Sequence, residues 1–172
     1  PLPRPARNLF CVGRNYRAHA AELADTVFRD QTPKDSLDDA GWPMVFSKVP
    51  QTVIGPHDTV RLPGKAVSEH IDYECELAVI IGRGGRDVAR SRAMDHVFGY
   101  TIVNDVSARD VQVRHGQWHL GKSFDTFCPM GPWIVTADEL DGRATRVRGF
   151  VNGEPRQDAR TTDMLFDIPT LI

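Results

Sequence analysis

The chain has 172 residues, close to one typical domain, and its 41% hydrophobic and 26% charged content matches a globular protein rather than a disordered or fibrous one. Its 21 basic and 23 acidic side chains give a net charge of minus 2 with no polybasic block, which argues against a nucleic-acid partner. The longest apolar runs, such as 77–81, are strand-sized, so no membrane span is expected.

Residues 9–12 (Leu-Phe-Cys-Val) read as a strand ended by Gly13, and Asn15 offers a cap for a helix over 16–23. Residues 25–43 are polar and rich in breakers, long enough to predict a lid rather than an inert loop. Strands follow at 44–48 and 60–62, with a turn at Gly55-Pro56-His57-Asp58. The run 73–81 predicts a strong strand, 90–97 has helical composition, and 98–104 predicts a second strong strand. Ser107 is placed to cap a short helix through Val113, with Asp110 as a weak capping-box partner. Strands are expected at 132–136 and 147–151, and Asn152-Gly153 is the strongest hairpin signal in the chain. Cys11, Cys75 and Cys128 are an odd, widely spaced set, and residues 1–7 lack a signal-peptide core, so a reducing compartment, the cytoplasm, is the expectation.

Glu74 and Glu76 stand two apart in a predicted strand, so their side chains leave one face with Cα atoms roughly 6.5 Å apart. That pair either converges on an oxygen-seeking divalent cation such as Mg²⁺ or simply decorates an exposed strand face. Asp105, at the end of the other strong strand, either adds a third carboxylate or helps to start the next helix. His19 and Glu22 have the i, i+3 spacing at which a carboxylate raises the basicity of an imidazole, the wiring of a water-activating base, although a surface helix carries such pairs by chance. His115 and His119 have zinc-helix spacing but lack the glutamate of that motif. The stretch 116–123 matches the P-loop pattern letter for letter, yet no buried strand precedes it and no long helix follows, so a phosphate cradle is rejected. Gly82-Arg83-Gly84-Gly85 fails the dinucleotide pattern because Asp87 stands where the third glycine belongs.

Four ordered blocks then gain meaning together: Cys11-Val12-Gly13-Arg14-Asn15-Tyr16, the strand Tyr73-Glu74-Cys75-Glu76-Leu77, Asn104-Asp105-Val106-Ser107-Ala108-Arg109-Asp110, and the segment 121–129 beginning Gly121-Lys122-Ser123-Phe124-Asp125. With these the chain resembles the fumarylacetoacetate hydrolase family over almost its whole length, and the apparent P-loop becomes that family's Gly-Lys-Ser-Phe-Asp segment. The resemblance implies one β-rich α+β domain over 1–172, a roll of mixed sheets with short helices, from which further strands and a Gly-Thr-Pro segment of the family are missing. It implies Mg²⁺ or Mn²⁺ held by Glu74, Glu76 and Asp105, with His19 as the water-activating base and Glu22 as its orienting partner. It makes Lys122 the stabiliser of enolate charge, and Arg109 and Gln112 substrate-binding positions. The substrates it implies are small 2-oxo or 1,3-dioxo carboxylates, and the assembly a homodimer. The leading expectation is hydrolysis of a C–C bond in acylpyruvate-like acids; the alternatives are an isomerase, decarboxylase or hydratase of 2-hydroxymuconate-type diacids in aromatic catabolism, and an inactive, truncated metal-binding homologue. A family-level match does not choose among these chemistries.

Overall fold

The apolar run after Asn8 forms β1 (Leu9–Gly13), which pairs antiparallel with β2 (Met44–Lys48) in the register Leu9↔Lys48 to Gly13↔Met44. The computed structural model describes residue 2 and residues 4–16, 41–114 and 116–172. Of the helix expected over 16–23, Tyr16 instead forms an isolated antiparallel bridge with Met164, and residues 17–23, with His19 and Glu22, lie outside the described residues, as do residues 25–40 of the expected lid. The Asn15 side-chain amide donates to the Phe166 carbonyl at 2.9 Å and its oxygen accepts from the Phe166 N–H at 2.8 Å.

The strand expected at 73–81 is divided. β4 (Ile71–Asp72) pairs with β7 (Ser107–Ala108), whereas β5 (Cys75–Ile81) pairs with β6 (Val97–Asn104), so residues 73–74 carry the chain from one sheet to the other. β6 also pairs with β9 (Val135–Thr136), a shorter strand than the expected 132–136. β3 (Val53–Ile54) pairs parallel with β8 (Cys128–Pro129), which makes the strand set mixed. β10 (Arg146–Val151) and β11 (Glu154–Arg160) form the predicted hairpin, with Asn152 and Gly153 at φ of 52° and 83° as a primed two-residue turn requires. Its Gln157 side chain accepts the Cys75 N–H at 2.7 Å, anchoring the start of β5.

Residues 60–62 form no strand; the Arg61 N–H is taken by the Thr126 hydroxyl at 2.7 Å instead of by a ladder. The 90–97 stretch is a 3-10 helix, Arg90–His96. Three short α-helices follow: α1 (Arg109–Arg114), α2 (His119–Lys122) and α3 (Ile168–Leu171). Ser107 is not the cap of α1, because it lies in β7 and its hydroxyl donates to the Asp105 carbonyl at 2.9 Å. Two apolar clusters hold the strand ends: Val53, Val103, Cys128 and Met130, and Val106, Ala108, Val111 and Phe127. Full burial of a side chain such as Phe127 is worth roughly 1.5–3 kcal/mol. Among the described residues no helix is long and apolar enough to cross a membrane.

Candidate active site

The chain crossing at residues 73–74 is what creates the site. Where β5 begins and β6 ends, Cys75 faces Asn104, the Asp105 N–H donates to the Glu74 carbonyl at 2.8 Å, and the Glu74 N–H donates to the Asn104 side chain at 3.1 Å. Glu74 and Asp105 are thereby fixed side by side in the interior, at 6% and 1% exposure. Glu76, one strand alternation further on, joins them. One carboxylate oxygen from each of Glu74, Glu76 and Asp105 lies within 4.8 Å of the other two.

Lys122 sits among these acids: its ammonium donates to Asp105 Oδ2 at 2.8 Å and to Glu74 Oε2. Arg109 donates through Nη2 to Glu74 Oε1 at 2.8 Å and to Asp72 Oδ2 at 2.7 Å, and through Nη1 to the Gln112 side-chain oxygen at 3.1 Å. Lys48, which the sequence reading did not select, places Nζ 2.7 Å from Asp105 Oδ1 and is 1% exposed. The Ser107 hydroxyl reaches Glu74 Oε2 at 3.4 Å. The sequence-predicted Glu74, Glu76, Asp105, Arg109, Gln112 and Lys122 thus come together, while His19 and Glu22 fall outside the described residues. A signal for Lys48 was present: it stands two residues from Phe46 in an expected strand, hence on the same, inward face.

Asp72, Glu74, Glu76 and Asp105 face Lys48, Lys122 and Arg109, and among the described residues Glu76 makes no ion pair. Burial, followed by the neighbouring charges of Asp105 and Glu74, pushes the Glu76 carboxyl up to about 8. Burial opposes the charge on Lys122, but Asp105, Glu74 and Glu76 outweigh it and hold the ammonium above its ordinary pKa.

An oxygen-seeking cation fits this donor set. Asp105 Oδ1, although ion-paired with Lys48, receives no directed hydrogen bond, and a metal at Glu76 would offset the burial and the repulsion that keep its proton on. A thiophilic metal fits poorly. Burial first, then Asp105 and Glu76, keeps the nearby Cys11 thiol well above the usual thiol range and therefore protonated. Beside the acids lies a cavity of about 40 Å³ measured at water centres, lined by Glu74, Glu76, Arg109, Gln112, Lys122 and Trp118 among others. That is room for a few waters or the head of a small ligand.

The glycine of the false P-loop has a packing role. A Cβ on Gly121 would lie 2.6 Å from the Gln112 nitrogen and 2.7 Å from the Ala108 carbonyl, so only glycine lets α2 rest on α1 and bring Lys122 to the acids. β2 closes the other side, with the Phe46 ring 5.0 Å from Lys122 Nζ and edge-on to Trp118 at a centroid distance of 5.3 Å.

Comparison with known proteins agrees with this architecture. The chain is 46% identical over 173 residues to oxaloacetate tautomerase YisK of Bacillus subtilis (strain 168), an alignment covering 100% of this chain and 54% of that protein. Among solved structures, a fumarylacetoacetate hydrolase from the psychrophile Exiguobacterium antarcticum superposes with a TM-score of 0.81 at 43% identity, over 98% of this chain and 56% of that one. A 5-carboxymethyl-2-hydroxymuconate delta-isomerase from Mycobacterium smegmatis superposes at 0.77 with 42% identity, over 95% and 57% respectively. The chain spans about half the length of the relatives it matches. Residues 8–172 match the family model described as fumarylacetoacetate (FAA) hydrolase C-terminal, and the chain belongs to that family.

Proposed function

We propose that this chain carries the metal-holding and enolate-handling centre of an enzyme that interconverts keto and enol forms of small 2-oxo diacids of the oxaloacetate type. The observation that carries the reading is the meeting of Glu74, Glu76 and Asp105 within 4.8 Å beside a buried lysine and arginine. The tautomerase and the muconate isomerase among its relatives favour this reading over hydrolysis.

In the proposed reaction the C3–H bond breaks, its electron pair becomes the C2=C3 double bond, and a proton arrives on the C2 oxygen, so the substrate gains and loses nothing overall. Mg²⁺ or Mn²⁺, held by Glu74, Glu76 and Asp105, would supply Lewis-acid polarisation of the 2-oxo and carboxylate oxygens. Arg109 grips a substrate carboxylate with charge-assisted bonds, and Gln112 fixes the guanidinium through Nη1. Lys122 places its ammonium against the developing enolate oxygen, where a positioned cation in a buried site is worth far more than in water. The family resemblance gives His19 as a water-activating base oriented by Glu22, and in this reaction the same base would take the C3 proton.

The test is a side-by-side assay of the purified protein with Mg²⁺ or Mn²⁺: acceleration of oxaloacetate tautomerisation, followed by the absorbance of the enol, against cleavage of an acylpyruvate. Faster cleavage than tautomerisation would replace this reading with hydrolysis, which the solved fumarylacetoacetate hydrolase relative supports. In that case His19 would deprotonate water rather than carbon. No acceleration of either reaction, with Mg²⁺ still bound, would make the protein a metal-binding homologue without these activities.

A further inference from the structure

Lys48 is the most deeply buried cation at the site, and none of the chemistry above uses it. Its side chain comes from the end of β2, a strand far in sequence from the acids, and is 1% exposed. Three acceptors surround the ammonium: Asp105 Oδ1 at 2.7 Å, the Val106 carbonyl at 3.1 Å and the carbonyl of Lys122. The two carbonyls accept hydrogen bonds from it, and Asp105 Oδ1 is its ion-pair partner. None of the three belongs to Lys48's own strand, so the ammonium joins β2 to the end of β6 and to α2 at one point.

The contacts fall on the two groups whose placement matters most. Asp105 presents Oδ2 to Lys122 and Oδ1 to Lys48, so the plane of its carboxylate is set by two cations on opposite oxygens. Lys122 is held at both ends by neighbouring residues of β2: its carbonyl accepts from Lys48, and its ammonium lies 5.0 Å from the Phe46 ring. Phe46 and Lys48 share a strand face by simple alternation. A buried charge with this many directed partners costs desolvation, which a plain apolar core residue would have avoided.

We infer that Lys48 is a positioning residue: it orients the Asp105 carboxylate for the divalent cation and fixes the backbone of Lys122, while touching neither substrate nor cation itself. The inference rests on the proposed metal-holding centre and goes beyond it by assigning the support of that centre to a residue on a separate strand. Residues that orient a metal's ligands typically contribute 10- to 100-fold in metal affinity.

The experiment is calorimetric titration of Mg²⁺ into the full chain, wild type and Lys48→Met, with oxaloacetate kinetics at saturating Mg²⁺ run in parallel. The expected result is a Kd for Mg²⁺ raised about 10- to 100-fold in Lys48→Met. At saturating metal, kcat should fall on the order of tenfold with KM within about threefold, because the substrate's grip through Arg109 is untouched. Ile168→Ala, in the C-terminal helix that packs on residues 90–96, serves as a control that lowers thermal stability without reaching the acids. It should leave the Mg²⁺ Kd unchanged. An equal Kd shift in Ile168→Ala, or a Lys48→Met Kd within twofold of wild type, overturns the inference. If Lys48→Met does not fold, Lys48→Gln, which keeps a donor on a shorter stem, is read in the same way; loss of the fold in both makes Lys48 a structural ion-pair residue and also overturns it. Wild-type tautomerisation with an unchanged Lys48→Met Kd removes only this inference. Wild-type Mg²⁺ binding without turnover removes the tautomerase reading and leaves Lys48 to stand on metal affinity, and absence of wild-type Mg²⁺ or Mn²⁺ binding removes both.

Discussion

In metal-free protein, stability should fall as pH rises, and Glu76 is the cause. Its carboxyl is pushed from 4.5 up to about 8, by burial first and then by Asp105 and Glu74. Between those values the folded chain holds a proton that the unfolded chain has released, so the stabilisation is complete below about 4.5 and gone above about 8. Each pH unit inside that window removes at most about 1.4 kcal/mol, so raising the pH from about 5.5 to 7.5 removes roughly 2–3 kcal/mol. At roughly 2–4 °C per kcal/mol for a chain of this size, the melting temperature in EDTA should drop by about 5–10 °C over that interval. Glu76→Gln, neutral at every pH, should lack this component, and the wild-type minus mutant difference isolates it from all other groups. Mg²⁺ should flatten the wild-type curve, because the cation takes the place of the proton, and its binding near neutral pH should release close to one proton per site. Parallel melting curves for wild type and Glu76→Gln in EDTA would refute the assignment of that proton to Glu76.

Gly121→Ala should destabilise by about 1–3 kcal/mol through overpacking against Gln112 and Ala108, and it should lower turnover as well, since Lys122 is the next residue; a melting temperature equal to wild type would contradict the contact distances. Asn15→Ala breaks both hydrogen bonds to the Phe166 backbone and should cost about 2–3 kcal/mol in urea unfolding, with Asn15→Asp recovering part of it through the retained acceptor. Lys122→Met should lower kcat at saturating Mg²⁺ by roughly 10²- to 10³-fold, because it removes the cation placed against the developing enolate oxygen. A kcat equal to wild type would refute that role.

Local chemistry was enough to read much of this molecule from its residues. The apolar stretches within 73–81 and 98–104 predict two strands, observed as β5 and β6, and Asn152-Gly153 dictates the turn between β10 and β11, because each depends only on neighbours in the chain. Six candidate site residues that the structure brings together are singled out by the spacing of Glu74 and Glu76 and by blocks that resemble one family. What the sequence left open depends on partners distant in the chain. The bond of Asn15 to the backbone of Phe166 has no local signal, and Ser107 reads as a cap but faces the acids. The strand at 73–81 divides because β4 and β5 find different partners, and that division is what turns Glu74 toward Asp105. Lys48 reads as an ordinary strand-end lysine until packing of β2 against the end of β6 and α2 buries it. A lysine at a strand end normally keeps its ammonium in water, and only the three acceptors assembled by the tertiary fold make burial the lower-energy choice.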